Sequence, residues 1–436
     1  LAEIHPFRGV YYNQSLVKDL AAVICPPYDI INHQMQQELY RRHECNFVRL
    51  EYGRELPEDK DSDNRYTRSA EILGKWLEQG ILRVGETPAI YLHDHYFTYQ
   101  GRECRRRSIT CLVKLEEWSK MVVRPHEGTL VEPKGDRLNL LWALQANTSP
   151  ILALFEDEGG QVSSLLTVQS QTEPMAKINT NSGEGHCLWA ITDTGAIGEI
   201  CRSLAHQPLY IADGHHRYES ALAYQRERRA CSASVSEQEP YDFVMMTLVD
   251  FTDPGLVILP AHRLVRGIPK STLDGLMDRL RTFFAVEEFP LNTSDTGQVN
   301  DLLAEEADEV KLILYGLTRE HLFVLRLRDF GAVSPMIPYF HSELYKRLDV
   351  SIVDHVILEE LLGLSQDMTG VPVNYSHDWR DARNMVLDRE YQLAFIVSPV
   401  KPALVKAIAD SNDRMPRKST YFYPKVPAGL VFYRFG

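Results

Sequence analysis

Pro208-Leu-Tyr-Ile-Ala-Asp213-Gly-His-His-Arg217-Tyr-Glu-Ser-Ala-Leu222 gathers more reactive side chains into one joint than any other stretch of this 436-residue chain. Leu209 to Ala212 is a short apolar run of the kind that makes a buried strand, and Asp213-Gly214 is a turn dipeptide. From His216 onward Tyr218, Ala221, Leu222 and Gln225 recur at helical spacing, so the pattern predicts strand, turn and helix, with Arg217 and the two histidines at the helix start. A helix start presents unpaired N–H groups and a partial positive charge; imidazoles and a guanidinium added there make a cradle for phosphate or another oxyanion. Taken singly, each residue has an ordinary explanation, with Asp213 as a cap, Gly214 as a turn glycine and the histidines as loop polar groups. All five in succession do not, because a turn needs neither two imidazoles nor an arginine.

Composition sets the wider bounds. The length implies two or three domains with ample buried surface, and 44% hydrophobic with 25% charged residues is the balance of a soluble globular protein. No apolar run approaches the roughly 18 residues that span a bilayer, and the start, Leu-Ala-Glu-Ile-His-Pro, has no basic-then-apolar signal pattern. The seven cysteines are odd in number, scattered and never in a C-x-x-C pair, which predicts reduced thiols in a cytoplasm rather than a disulfide framework or a zinc site. A net charge of -13 argues against nonspecific nucleic-acid binding, which needs a basic face. The basic knot Arg102-Glu-Cys-Arg-Arg-Arg107 is the exception, expected to decorate a hairpin turn near Gly101.

Taken in order, the pattern predicts helices over 16–24 and 33–42, separated by Cys25-Pro-Pro-Tyr-Asp29, a stiff turn able to hold Asp29 in one place or merely to end one helix and cap the next. Asn46-Phe-Val-Arg-Leu-Glu51 alternates as a strand would, putting Arg49 and Glu51 on one face, toward a cleft or toward water. An amphipathic helix over 61–80 and a hairpin of 89–99 with 107–115 follow. His93 and His95 share a face of that hairpin; an H-x-H pair can hold a metal, yet Tyr91, Phe97 and Tyr99 lie on the same face and no third ligand is near in sequence. Pro125 and Gly128 bracket His126 and Glu127 in a loop leading through Lys134 and Arg137 into a helix over 138–145; such a pair can supply a general base and charge neutralisation, or be a solvated loop. Asn147-Thr-Ser-Pro150 turns into a strand over 151–155, residues 156–185 read as an exposed excursion around one short strand, and a helix over 197–205 leads into the central joint. Beyond it come a polar loop over 230–240 and buried strands over 243–250 and 256–259.

From about residue 266 the pattern restarts with a helix over 270–284, strands over 310–317 and 321–328, a long helix over 342–362, a helix over 381–387, a strand over 391–397, a helix over 402–411 and a strand over 430–435. This predicts two domains: residues 1–265 with an insertion at about 85–185, and a second α+β domain over 266–436. The cationic and aromatic loop Arg414-Met-Pro-Arg-Lys-Ser-Thr-Tyr-Phe-Tyr-Pro-Lys425 fits either a lid over an anionic ligand, with Lys418 and Thr420 on phosphate, or an interdomain seam.

Asp213-Gly-His-His-Arg217 after a strand resembles the nucleotide-phosphate motif of the ParB/sulfiredoxin superfamily, which includes chromosome-partition CTPases, sulfiredoxin and free-serine kinases. The whole chain resembles the domain-of-unknown-function family 1015 through His5-Pro-Phe-Arg-Gly9, Pro26-Pro-Tyr-Asp29, Asn46 to Glu51, Pro125-His-Glu-Gly-Thr129, Ala212 to Leu222 and Met415 to Pro424. The resemblance implies a mixed α/β (α+β) fold with a ParB/sulfiredoxin-like nucleotide-binding core, and a small-molecule phosphotransferase using ATP or ADP with Mg²⁺, its acceptor an amino-acid hydroxyl, free L-serine first. In that reading Asp213, Gly214, His215, His216 and Arg217 hold the phosphates, helped by Lys418 and Thr420. Asp213 or Glu127 positions Mg²⁺, Asp29 or Glu51 takes the acceptor proton, and His126 and Glu127 assist catalysis. The rival reading is a nucleotide-binding regulatory protein with little or no catalysis; a sulfiredoxin-like reductase is weaker, since a cysteine is needed where His215-His216 stand. Nucleotide and acceptor are the expected partners, nucleic acid and membrane are not, and self-association into a homo-oligomer stays open.

Overall fold

The runs at 90–99, 102–114, 151–155 and 243–250 lie side by side, because Ile90–Leu92, Ile109–Val113, Ile151–Phe155 and Phe243–Val249 are buried on both faces and only a sheet covered on both sides accommodates that. The computed structural model describes residues 2–129, 131–231, 236, 238–292, 297–304, 309–364 and 373–435. Nine strands form the large sheet: β1 (Ile4–His5), β2 (Ile90–Tyr99), β3 (Arg102–Lys114), β4 (Val123–Pro125), β5 (Ile151–Phe155), β6 (Ala176–Asn179), β7 (Gly185–Ile191), β8 (Leu209–Asp213) and β9 (Phe243–Asp250). Their order is β4-β8-β5-β9-β3-β2-β7-β6, with β1 beside β3; β4 is parallel to β8 and β5 to β9, and the other pairs are antiparallel. The fold is mixed α/β.

The helices around this sheet are α1 (His33–Arg42), α2 (Val48–Glu51), α3 (Arg65–Glu78), α4 (Val131–Leu144), α5 (Gln161–Gln169), α6 (Thr194–Leu204) and α7 (His215–Cys231). One face packs Leu92, Ile109, Val113, Ile211 and Met246 against Ile200, Leu204, Tyr218 and Leu222 of α6 and α7. The other packs Tyr91, Leu112, Leu188 and Met245 against Phe47, Val48, Trp76 and, from the chain's end, Val431 and Phe432. The same face turns polar farther along, where His93, His95, Arg106, Ser108 and His186 are all buried.

The chain divides into two compact units, the first made of Leu1–Pro125, Thr129–Val257 and Pro424–Gly436, the second of His126–Gly128 and Ile258–Tyr423. The second carries a six-stranded antiparallel sheet in the order Phe284–Pro290, His321–Leu327, Lys311–Tyr315, Leu393–Ile396, His262–Val265, Val373–Ser376. The Arg263 guanidinium meets the Asp354 carboxylate through two hydrogen bonds of 3.0 and 3.1 Å, with both side chains almost fully buried.

Several local expectations change. The helix expected over 16–24 is a single tight turn, Leu20–Ala22, capped by Asp19, and the chain then runs extended so that Cys25 pairs with Ala428. Asn46 to Glu51 is not a strand. The Asn46 side chain accepts from Val48 N–H and donates to the carbonyl of Ala22, bending the backbone into α2, and six residues of alternation are too few to resist that. Residues 85–185, read as an insertion, supply β2 to β6 and the first residue of β7 to the large sheet, and the supposed exposed excursion holds α5, β6 and the start of β7. Arg102 to Arg107 lies in β3 rather than at the turn, which is made by Gln100 and Gly101, both at positive φ. The helix over 270–284 breaks at Gly275, and 342–362 is two short helical turns followed by a π-helix over Ile352–Leu361. The loop expected over 230–240 falls in part, at 232–235 and 237, outside the described residues. No helix among the described residues is long and apolar enough to cross a membrane.

Phe432 is buried with its ring centroid 5.3 Å from that of Phe47. Phe432→Ala is expected to destabilise the first unit by about 3–5 kcal/mol, the usual cost of removing a buried aromatic ring. Urea unfolding followed by circular dichroism checks this, and a loss under about 1 kcal/mol would show that the terminal segment is not part of the core.

Candidate functional site

β8 ends and α7 begins across a single residue, and the sequence builds that joint in two ways. The pairing of β8 with β5 slips between Ile211 and Asp213, a bulge of the kind that re-aims the next side chain. Gly214 then has φ +96°, and a Cβ there would stand 2.9 Å from Arg217 Nε, so the glycine supplies both the turn and the room for the guanidinium to fold back.

The folded-back Arg217 donates from Nη2 to Asp213 Oδ2 at 2.7 Å and from Nη1 to the carbonyl of Pro150. Its Nε is buried and has no hydrogen-bond partner. Lys425, returning from the far end of the chain, donates from Nζ to Asp213 Oδ1 at 2.6 Å and lies 3.7 Å from Asp29. Burial alone would raise the Asp213 pKa, but the Lys425 ammonium and then the Arg217 guanidinium outweigh it and hold the carboxyl well below the usual carboxylate range. The same charges act in reverse on Arg217: burial opposes its cation, while Asp213, Asp29, Tyr28 and Glu51 favour it and raise its pKa.

Asp29 sits in the tight turn Tyr28–Ile30, entered from Pro27, with 29% of its side chain exposed. Glu51 is fully buried. Its Oε2 accepts from the Thr148 hydroxyl and its Oε1 from the Ser149 hydroxyl at 2.9 Å, and Arg137 Nη1 lies 3.6 Å away. Arg137 also covers the Tyr28 ring at 3.9 Å and donates to the Glu51 carbonyl. Arg137, Thr148, Ser149 and Arg217 line a cavity of about 30 Å³, room for water and too little for a nucleotide; the roomier clefts of this unit, of about 530 and 670 Å³, are lined by other residues. His215 is buried and His216 half-buried in the first turn of α7.

Of the residues singled out in the sequence, Asp29, Glu51, Asp213, Gly214, His215, His216 and Arg217 belong to the first unit. His126, Glu127, Lys418 and Thr420 group in the second. There His126 Nε2 and Thr420 Oγ1 are 2.8 Å apart, Glu127 Oε1 accepts from Ser419 N–H at 3.1 Å, and Lys418 turns the chain at φ +57°.

A family model described as protein of unknown function (DUF1015) matches residues 4–351. The chain belongs to this family. No curated protein matches it. Similar solved structures include a conserved hypothetical protein from Pyrococcus furiosus, 12% identical, with TM-score 0.33 over 72% of this chain and 92% of that one. A free serine kinase in complex with AMP is 13% identical, with TM-score 0.34 over 72% and 91%, and C-terminally truncated SbnI from Staphylococcus aureus is 10% identical, with TM-score 0.32 over 72% and 84%. Likeness this distant says nothing of substrate or chemistry.

In this DUF1015 chain the residue that sequence reading missed is Lys425, lost among the cations and aromatics of the 414–425 loop. Thr148 and Ser149 were passed over as part of a turn. Only the pairing of β9 beside β5, with Met245 N–H bonded to Asn147, fixes the stretch that presents those hydroxyls to Glu51. With its pKa depressed, Asp213 adds stability that is fully present above the ordinary carboxylate value near pH 4 and is lost as pH falls through the lower folded value. Lys425→Met removes the stronger of its two cations. It is expected to cost about 3 kcal/mol at neutral pH, the lower end for a broken buried pair, and to move acid unfolding to higher pH. Acid and urea titrations of parent and variant check both; an unchanged acid midpoint would mean that the pair contributes nothing.

Proposed function

We propose that the first unit binds a nucleotide through the β8–Gly214–α7 joint and that the protein is a small-molecule phosphotransferase using ATP or ADP. The observation that carries the reading is the seating of two cations, Arg217 and Lys425, on the single carboxylate of Asp213 at the start of a helix. Asp213 orients them; Arg217 Nε, buried and without a hydrogen-bond partner, and the positive end of the α7 dipole are what a phosphate would meet. The ParB/sulfiredoxin-like character of the joint, and free L-serine as the first acceptor, rest on the resemblance of Asp213 to Arg217 to that superfamily's motif.

In the transfer itself the acceptor oxygen bonds to the terminal phosphorus as the P–O bond to the departing nucleotide breaks, and the hydroxyl proton passes to a carboxylate. Asp29 is favoured for that role, being part-exposed beside Lys425, whereas both Glu51 oxygens are occupied and sealed. Positioning and charge neutralisation supply most of the rate in phosphoryl transfer. Mg²⁺ fits poorly on Asp213, whose two oxygens already accept from cations, so the metal would travel on the nucleotide's phosphates. The 30 Å³ cavity requires the joint to open on binding.

Two measurements test this reading. By calorimetry with ATP or ADP and Mg²⁺, Arg217→Lys is expected to weaken binding at least about tenfold, because an ammonium cannot keep the bonds to Asp213 and Pro150 and still present a donor where Nε stands; unchanged affinity would make the joint purely structural. In phosphorus NMR with L-serine, the parent should form a phosphomonoester and Asp29→Asn should slow it by about 100- to 10,000-fold at nearly unchanged nucleotide affinity. Tight nucleotide binding with no phosphomonoester from any amino acid would replace the transferase with a nucleotide-gated regulatory protein.

A further inference from the structure

The polar end of the large sheet brings together four side chains that the phosphate joint does not use. His93 and His95 project from one face of β2, and the strand register sets His186 of β7 directly beside His95. Glu184 stands just before β7. The three imidazoles are each about 2% exposed or less. His95 Nε2 lies 2.7 Å from Glu184 Oε2, His186 Nδ1 lies 3.1 Å from His93 Nε2, and the His95 and His186 ring centroids are 4.3 Å apart. One ligand atom from each of His95, Glu184 and His186 falls within 4.8 Å of the other two.

We propose that His95, Glu184 and His186 form a binding site for a divalent transition-metal ion of the zinc type, with His93 as the outer partner that orients His186. Two imidazoles and a carboxylate are a donor set that zinc takes, leaving a fourth position for water. Bond lengths of about 2.0–2.2 Å put tetrahedral ligand atoms roughly 3.3–3.6 Å apart. His186 would ligate through Nε2 and donate its Nδ1 proton to His93, the outer-shell arrangement that fixes tautomer and ring orientation.

Binding has one local cost. Arg106 Nη2 lies 3.3 Å from His95 Nδ1, and a His95 bound through Nε2 carries its proton on that nitrogen. Arg106 must give up this contact while keeping its 2.8 Å bond to the carbonyl of Pro424.

Full-length protein stripped with a chelator and titrated with zinc alone by calorimetry is expected to bind one equivalent. Cobalt(II) in its place should give the visible absorption of a four-coordinate nitrogen and oxygen site without thiolate charge-transfer bands, which separates this cluster from the seven free cysteines. Glu184→Gln, at a part-exposed position, should weaken zinc at least about tenfold, and His93→Gln by about 10- to 100-fold as outer-shell changes do. Because no nucleotide is present, the result is independent of the phosphotransferase reading. Absence of a bound equivalent in the stripped parent, a thiolate spectrum, or full affinity in Glu184→Gln would each overturn the site and leave an ordinary hydrogen-bonded histidine cluster.

Discussion

The Asp213 carboxylate, held between Lys425 and Arg217, is the constraint on which the rest of the first unit depends. Three cationic or anionic side chains cannot be sealed at a strand end unless each meets its opposite. That requirement dictates the bulge before Asp213, the glycine after it and the return of the chain's last segment to deliver the ammonium. A second matched group, Glu51 with Arg137, Thr148 and Ser149, lies beside the first through Tyr28, and Tyr28 and Glu51 both add to the field on Arg217.

The large sheet shows the same economy in a different form. One of its faces is apolar until it meets the buried Asp94–Arg107 ion pair, while the other changes character midway along β2 and β3. Tyr91 and Leu112 belong to the core there, yet the next same-face residues are His93, Thr110 and Ser108, followed by His95 and Arg106. Thr110 meets Thr247 of β9 at 2.8 Å, so each polar side chain finds a neighbour across the strands.

The sequence made the central joint and most of the regular elements legible because their signals are local. The strand at 151–155, the strand at 243–250 and the helix at 33–42 appear where periodicity puts them. What failed was decided by distant partners. Six alternating residues at 46–51 read as a strand, and only the carbonyls of Ala22 and Ile24, waiting for the Asn46 amide, turn them into a helix. His93 and His95 showed no third ligand because His186 and Glu184 are about ninety residues away and arrive only through strand register. Lys425 was hidden for the same reason, as one cation in a run of several, with nothing nearby in sequence to mark Asp213 as its partner.

That the first unit takes its final strand contacts from residues beyond 424 bears on how the chain comes into being. During synthesis residues 1–257 emerge with their sheet nearly complete but with Asp213 lacking its ammonium and Phe47 lacking Phe432. Closing so long a loop costs roughly 4–5 kcal/mol of chain entropy before any contact repays it. The second unit, almost all of one continuous stretch, has no such wait and can condense as soon as residue 423 leaves the ribosome. The unit begun first is thus finished last, and its nascent form exposes apolar surface to whatever chaperones attend translation for the whole time the other unit is being made.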